Sequence, residues 1–234
     1  MTTSVIYADP AGYVGTDGHD IGSFNATYST ARAGDNLTLS PTNPGGNTLG
    51  QTLGYYISQN FEQFDTSSVG AGSTVSAVVY EAYCYSDFST TDFTIEGRIH
   101  DFGSLPVTTD DWVAGADLSG KTLLATAPTS SASDGELTWT SESAFLSNID
   151  DTGYTRLILV SKEMTDDSEP IGAEYMALAV DTPPRLIIEY TTLTLIYGRP
   201  IADLATTGWA VTPLWSKVDD DPDAPDGTTV TASV

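Results

Sequence analysis

The chain has 234 residues, of which 32 are acidic and 8 are Lys or Arg, giving a formal charge of -24. Its 40% hydrophobic content, with 12 Tyr, 7 Phe and 4 Trp, excludes wholesale disorder, and the length suits one large β-sandwich with an appendage. So acidic a chain argues against nucleic-acid and anionic-membrane binding, because both take clustered Lys and Arg.

In chain order, Val5-Ile6-Tyr7 opens as a short strand that Asp9-Pro10-Ala11-Gly12 stops. Turn-forming residues dominate positions 15–54, with strands predicted in "SFNATYSTARAG" and "NLTLS" and a loop at "PTNPGGNTLG". Next comes the stretch around which the chain is organised. In Tyr55 to Asp65 the residues Tyr55, Ile57 and Phe61 share one parity, interrupted by Gln59, and a pleated strand puts that parity on one buried face. Ser58, Asn60 and Glu62 are then expected to face away, and Phe64, out of parity, predicts a bulge before a Ser/Gly-rich turn. The second arm, Val75 to Tyr83, is apolar on both parities and reads as a central strand.

"SDFSTTDF" is a polar excursion, followed by a strand, "FTIEGRIHDF", whose Thr94, Glu96, Arg98 and His100 are expected outward. From Leu105 the chain is expected to be mostly loop, with a turn of helix at Thr109 to Val113 capped by Thr108 or Thr109. Leu137 and Trp139 alternate as a strand, Ser141 to Asn148 forms a short helix, and Tyr154 to Val160 is the next strand. "EYMALAV" and "RLIIEYTTLTLIYG" are the last strong strands. Many short strands between turn clusters, with almost no helical periodicity, predict an all-β fold, an antiparallel β-sandwich over residues 1–192. Tyr55, Ile57, Phe61, Val75, Val79, Leu157, Leu159, Leu186 and Ile188 are its expected core positions. Residues 193–234 read as a C-terminal arm or small β appendage. Trp209 and Trp215 need a surface to cover them, and Val230 lies in a strand-like end that can add to an edge, which makes these residues candidate subunit or particle contacts.

"FEQFDTSSVGAGSTVSAVVYEAY" resembles the F-x-x-FD-T/L-S-S-I-P-A-G-A-T-I-x-S-A-x-L signature of jelly-roll modules related to the DNRLRE and carbohydrate-binding-module β-sandwiches, a version of which recurs in bacteriophage particle proteins. The likeness runs loosely from Val5 to Thr191, with "GYVGTDG" and "STARAG" upstream and "TGYTRLILVS" and "PPRLIIEY" downstream. It departs at Gln59-Asn60, where Arg-Gly is frequent, and at Glu81, where an apolar residue is usual, which leaves the register of that strand open. The resemblance implies a jelly roll and a non-catalytic virion protein, in capsid decoration or in a tail or spike, that assembles as a homo-oligomer with other virion proteins. A carbohydrate-binding module that recognises a glycan is the alternative. It implies no required cofactor and allows a structural calcium held by loop oxygens.

Catalytic signals are sparse. Asp110-Asp111, Asp150-Asp151 and Asp166-Asp167-Glu169 are adjacent acids in turns, which a chain this acidic produces by composition, and a glycosidase needs two carboxylates held ~5–10 Å apart across a cleft. There is no G-x-S-x-G elbow, and His19 and His100 carry no attached motif. Cys84 is the single cysteine, so no intrachain disulfide forms. After Met1 come Thr2-Thr3-Ser4, with neither the basic nor the apolar region of a signal peptide, and no apolar run is long enough to insert in a membrane. Together with these features, the resemblance to phage particle modules implies the virion as the expected location. For sugar binding, a pyranose face stacks on an aromatic ring while acids accept its hydroxyls, and Trp112 with Asp110 and Asp111 is the candidate group.

Overall fold

The computed structural model describes residues 1–8, 20–40, 48–49, 54–103, 105–132, 137–178 and 183–192. The expected arm, with Trp209, Trp215 and Val230, lies outside the described residues, as does His19.

Thirteen strands, all paired antiparallel, make three sheets among the described residues. The strands are β1 (Thr2–Tyr7), β2 (Asp20–Asn25), β3 (Thr38–Ser40), β4 (Thr48–Leu49), β5 (Tyr55–Asp65), β6 (Thr74–Glu81) and β7 (Cys84–Asp87). They continue with β8 (Thr94–Ile99), β9 (Leu123–Pro128), β10 (Thr140–Ser141), β11 (Tyr154–Ser161), β12 (Glu174–Leu178) and β13 (Arg185–Thr191). The large sheet runs β10-β9-β8-β11-β5-β2-β3, and the small sheets run β1-β13-β6 and β4-β12-β7. Three short helices, α1 (Tyr28–Ala33), α2 (Gly115–Leu118) and α3 (Lys162–Asp166), complete the fold. No helix of the described residues is long and apolar enough to cross a membrane.

Two cores lie on opposite faces of the large sheet. One, between the large sheet and the small sheets, gathers Phe64, Val78, Tyr80, Ile95, Leu157, Leu159, Met176, Leu186 and Ile188. The other, beneath the helices and the loop after β8, gathers Ile21, Tyr28, Ile57, Phe61, Phe102, Ile158, Val160 and Met164. Successive residues of a strand point to opposite faces, so a strand buried on both sides must be apolar or internally bonded at both parities. In β11, Leu157 and Leu159 enter the first core while Ile158 and Val160 enter the second.

This arrangement corrects several expectations. Phe64 marks no bulge: β5 pairs with β11 in unbroken register through Phe64, and Phe61 and Phe64 fill different cores. Ser58, Asn60 and Glu62 are buried, because the small sheets cover the face that an open strand would give to water. Glu62 is held there by the Tyr80 hydroxyl, which donates to its carboxylate at 2.7 Å. β6 is an edge strand with β13 at the centre of that sheet, so Val79 is exposed (43%), aligned across the outer face with Ile187 and Val5. Tyr55 and Val75 are partly buried, and the other expected core positions are buried. Glu81 takes a definite register opposite Arg185, whose Nε donates to it at 2.6 Å.

Glu96 and Arg98 are likewise buried rather than outward, since α2, α3 and the loop after β8 cover that face. "YSTARA" is α1 and not a strand: Ala31, Arg32 and Ala33 favour helix, the Ala31 amide bonds Thr27, and Gly34, at φ 99°, ends the turn. The stretch expected to be loop contains α2 and also β9, which pairs with β8 over Leu123–Pro128. Leu137 and Trp139 precede a strand of only two residues, though Leu137 is buried and Trp139 meets the Tyr80 ring edge-on at 4.5 Å. The expected helix before Asn148 is a 3-10 helix, Ser143–Asn148.

The turn after β5 explains the F-x-x-FD segment physically. Asp65 accepts from the amide and the hydroxyl of Ser67 at 3.1 and 2.6 Å, and these bonds hold its carboxyl below the usual carboxylate range. Thr66, fully buried, donates to the Asp150 carbonyl at 2.6 Å and pairs with the Thr155 hydroxyl at 2.9 Å. Gly70 and Gly72 then take positive φ of 83° and 74° to return the chain into β6.

Candidate functional site

The most elaborated surface lies where β8 ends beside β11. His100 follows β8 and touches three elements. Its Nδ1 lies 3.0 Å from Lys121 Nζ, a pure donor, so Nδ1 accepts and Nε2–H donates to the Asp111 carbonyl at 3.3 Å. Burial, and then the neighbouring Lys121 charge, push the imidazole pKa down, so the ring is neutral at pH 7. His100 is therefore a fixed strut between strand, loop and turn.

The loop carrying the predicted sugar-binding group is held from below by Gln59. Its side-chain amide donates to the Val113 carbonyl at 2.5 Å and accepts from the Val113 amide at 3.0 Å. The residue that interrupted the apolar parity of β5 is thus the anchor of the 109–113 loop. At Thr109–Asp111 a 3-10 turn forms, as expected, with Thr108 and Asp111 bonding each other reciprocally. Asp111 Oδ2 accepts the Thr108 amide at 2.8 Å, while Asp110 is exposed. Trp112 is partly buried against the second core with its indole pressed over Gly34, where an added Cβ would come within 2.6 Å of Nε1. That nitrogen is buried and has no hydrogen-bond partner among the described residues. Of the three predicted residues, Asp110 faces solvent most freely, while Asp111 and Trp112 are engaged in holding the loop.

Beside this loop is a ring cluster that sequence reading missed. Tyr154 is 41% exposed, and the Arg156 guanidinium lies 5.2 Å from its ring centroid and 5.8 Å from that of Phe102. Arg156 is oriented by Gln63 at 2.7 Å and by exposed Asp101 at 2.9 Å. Phe102 meets Phe61 edge-on at 5.4 Å, which ties the patch to the core. An exposed ring with a planar cation and a solvent-facing carboxylate alongside is the combination that engages a sugar face and its hydroxyls. The only signal in the sequence was the alternation of Tyr154 with Arg156, which a strand reading absorbs.

No protein-family model matches the chain, and no curated protein matches it.

The adjacent acids serve as turn and helix partners. Asp150 accepts from the amide and hydroxyl of Thr152, Asp151 from the Gly72 amide, and Glu169 from the Tyr55 hydroxyl. Lys162 pairs with Asp166, and Arg32 with Asp167. Among the described residues no group of three or more His, Cys, Asp or Glu is placed to hold a metal ion. Cys84 is buried, which pushes its thiol pKa up and leaves it unreactive. A pocket lined by Glu81, Ala82, Tyr83, Leu137 and Arg185 opens at the end of β6, with its two charges paired to each other.

Proposed function

We propose that this chain is a non-catalytic structural protein of a bacteriophage particle, a jelly roll that decorates the capsid or forms part of a tail or spike. The observation that carries the reading is that the residues of the F-x-x-FD resemblance are the ones that organise the sandwich: Phe61 and Phe64 fill its two cores, and Asp65 and Thr66 build the turn between β5 and β6. The charge of -24 supports contact with proteins rather than with nucleic acid. Asp65, Asp111, Asp150 and Asp151 are engaged in turns, and Asp101, Asp166 and Asp167 in ion pairs, an arrangement suited to a scaffold.

In this reading the protein is a homo-oligomer that contacts other virion proteins through the segment 193–234, with Trp209, Trp215 and Val230 at the contact. Deleting residues 199–234 leaves the thermal melt of the sandwich in place and lowers the sedimentation coefficient to that of a monomer. An unfolded truncation, or an unchanged oligomer, contradicts the arm as the contact. The particle reading itself requires the protein to co-purify with intact particles at fixed copy number, and recovery from a cell envelope and from no particle contradicts it.

A second reading, glycan recognition, is favoured by the Tyr154–Arg156–Asp101 cluster. It requires no cofactor and allows a structural calcium held by loop oxygens.

A further inference from the structure

Two carboxylates on different elements, Glu163 of α3 and Glu174 of β12, each hold a buried oxygen with no partner among the described residues. Glu174, the first residue of β12, is 3% exposed and pairs across the strands with Leu49 of β4. Its Oε2 is buried and has no hydrogen-bond partner among the described residues, and the same holds for Oε2 of Glu163, in the first turn of α3. The two groups are close enough to repel each other. A buried carboxylate is costly unless it is paired or neutral.

The charged neighbours do not supply the missing partner. From α1, the Tyr28 hydroxyl donates to the Glu163 main-chain carbonyl at 2.9 Å. Arg32 is bonded to the Met164 and Thr165 carbonyls at 2.6 and 3.4 Å and pairs with Asp167. On α3 itself Lys162 pairs with Asp166, and from β8 Glu96 is bonded to Arg98 and to the Thr165 hydroxyl. Among the described residues, these cations are committed to other oxygens.

We propose that Glu163 and Glu174 form a proton-controlled latch between α3 and β12, closed while at least one of the two is protonated and loosened when both are ionised. Burial, and then repulsion by Glu163, push the Glu174 carboxyl up to about 7, and burial raises Glu163 as well. The sign follows from linkage. An unfolded Glu loses its proton near ~4.3, so between there and about 7 the folded state holds a proton that the unfolded state has lost. Stability contributed by this group therefore falls as pH rises through that window, and the whole penalty is present above about 7. The inference concerns the fold of this chain and is independent of the particle reading.

The test compares unfolding of the full chain and of Glu174→Gln from pH 4.5 to 8. Relative to the variant, the wild type is expected to lose on the order of a hundredfold in its folding equilibrium constant across this range. A difference that does not change with pH overturns the latch. Should Glu174→Gln fail to fold, carbon-13 titration of the wild-type side-chain carboxyls decides it: a Glu174 midpoint near 7 that moves down in Glu163→Gln supports the latch, and one near ~4.3 overturns it. Both experiments are repeated with millimolar calcium chloride. Stabilisation at pH 8 together with a lowered Glu174 midpoint would mean that a cation holds the pair, and would overturn a latch controlled by protons alone.

Discussion

Arg98→Ala should destabilise the protein by ~3–5 kcal/mol, the cost of breaking a buried ion pair by removing one partner. Arg98 Nε donates to Glu96 at 2.9 Å, and both residues are almost wholly buried beneath α2 and α3. Without the guanidinium, Glu96 keeps only the Thr165 hydroxyl at 2.9 Å, and a carboxylate is left charged in an apolar layer. The carbonyls of Leu118 and Lys121, which Arg98 Nη1 bonds at 3.3 and 2.7 Å, also lose their donor. The turn that presents Lys121 to His100 loosens with them. Replacing both residues, as Glu96→Leu with Arg98→Met, should cost much less than the two single changes summed, because no buried charge remains. Urea unfolding of the three variants checks this, and a single-variant loss below ~1 kcal/mol would show that water reaches the pair.

Phe61→Ala should cost ~3–5 kcal/mol through lost transfer energy and the cavity left behind. The side chain is fully buried against Ile57, Phe102 and Ile158, and its ring also lies 6.0 Å from that of His100. Val79→Ala is the contrast. Both residues are large apolar side chains in consecutive strands that belong to different sheets, yet Val79 sits on the outer face of an edge strand, so its truncation should stay within ~0.5 kcal/mol. Equal losses at the two positions would contradict the layer assignment.

The sandwich was legible in the sequence because strand identity rests on local alternation and turn residues, and Tyr154 to Val160 or "RLIIEY" carry both. What the sequence did not reveal was how many layers cover each strand. Polar residues at alternate positions read as solvent-facing when one face is open, and Glu62, Glu96 and Arg98 look the same whether they meet water or partners 18 to 69 residues away. Only the fold brings Tyr80 to Glu62 and Thr165 to Glu96. Helices α1 and α3 are too short for their periodicity to show, and they are held by tertiary bonds such as Arg32 to the Met164 carbonyl. The site was partly legible for the same reason. The acidic loop and Trp112 stand out by composition, but the pose of that loop depends on Gln59 and His100, and the exposed ring of Tyr154 depends on where β11 begins.

The central claim is that this sandwich is a building block of a virus particle. Electron microscopy of the native particle at side-chain resolution tests it most directly. The account predicts symmetric density on the capsid, tail or spike into which the seven-stranded sheet and its two small sheets fit, with Phe61 and Phe64 on opposite faces of β5. A particle in which every protein density is assigned to other chains, with this protein recovered elsewhere in the cell, would contradict it.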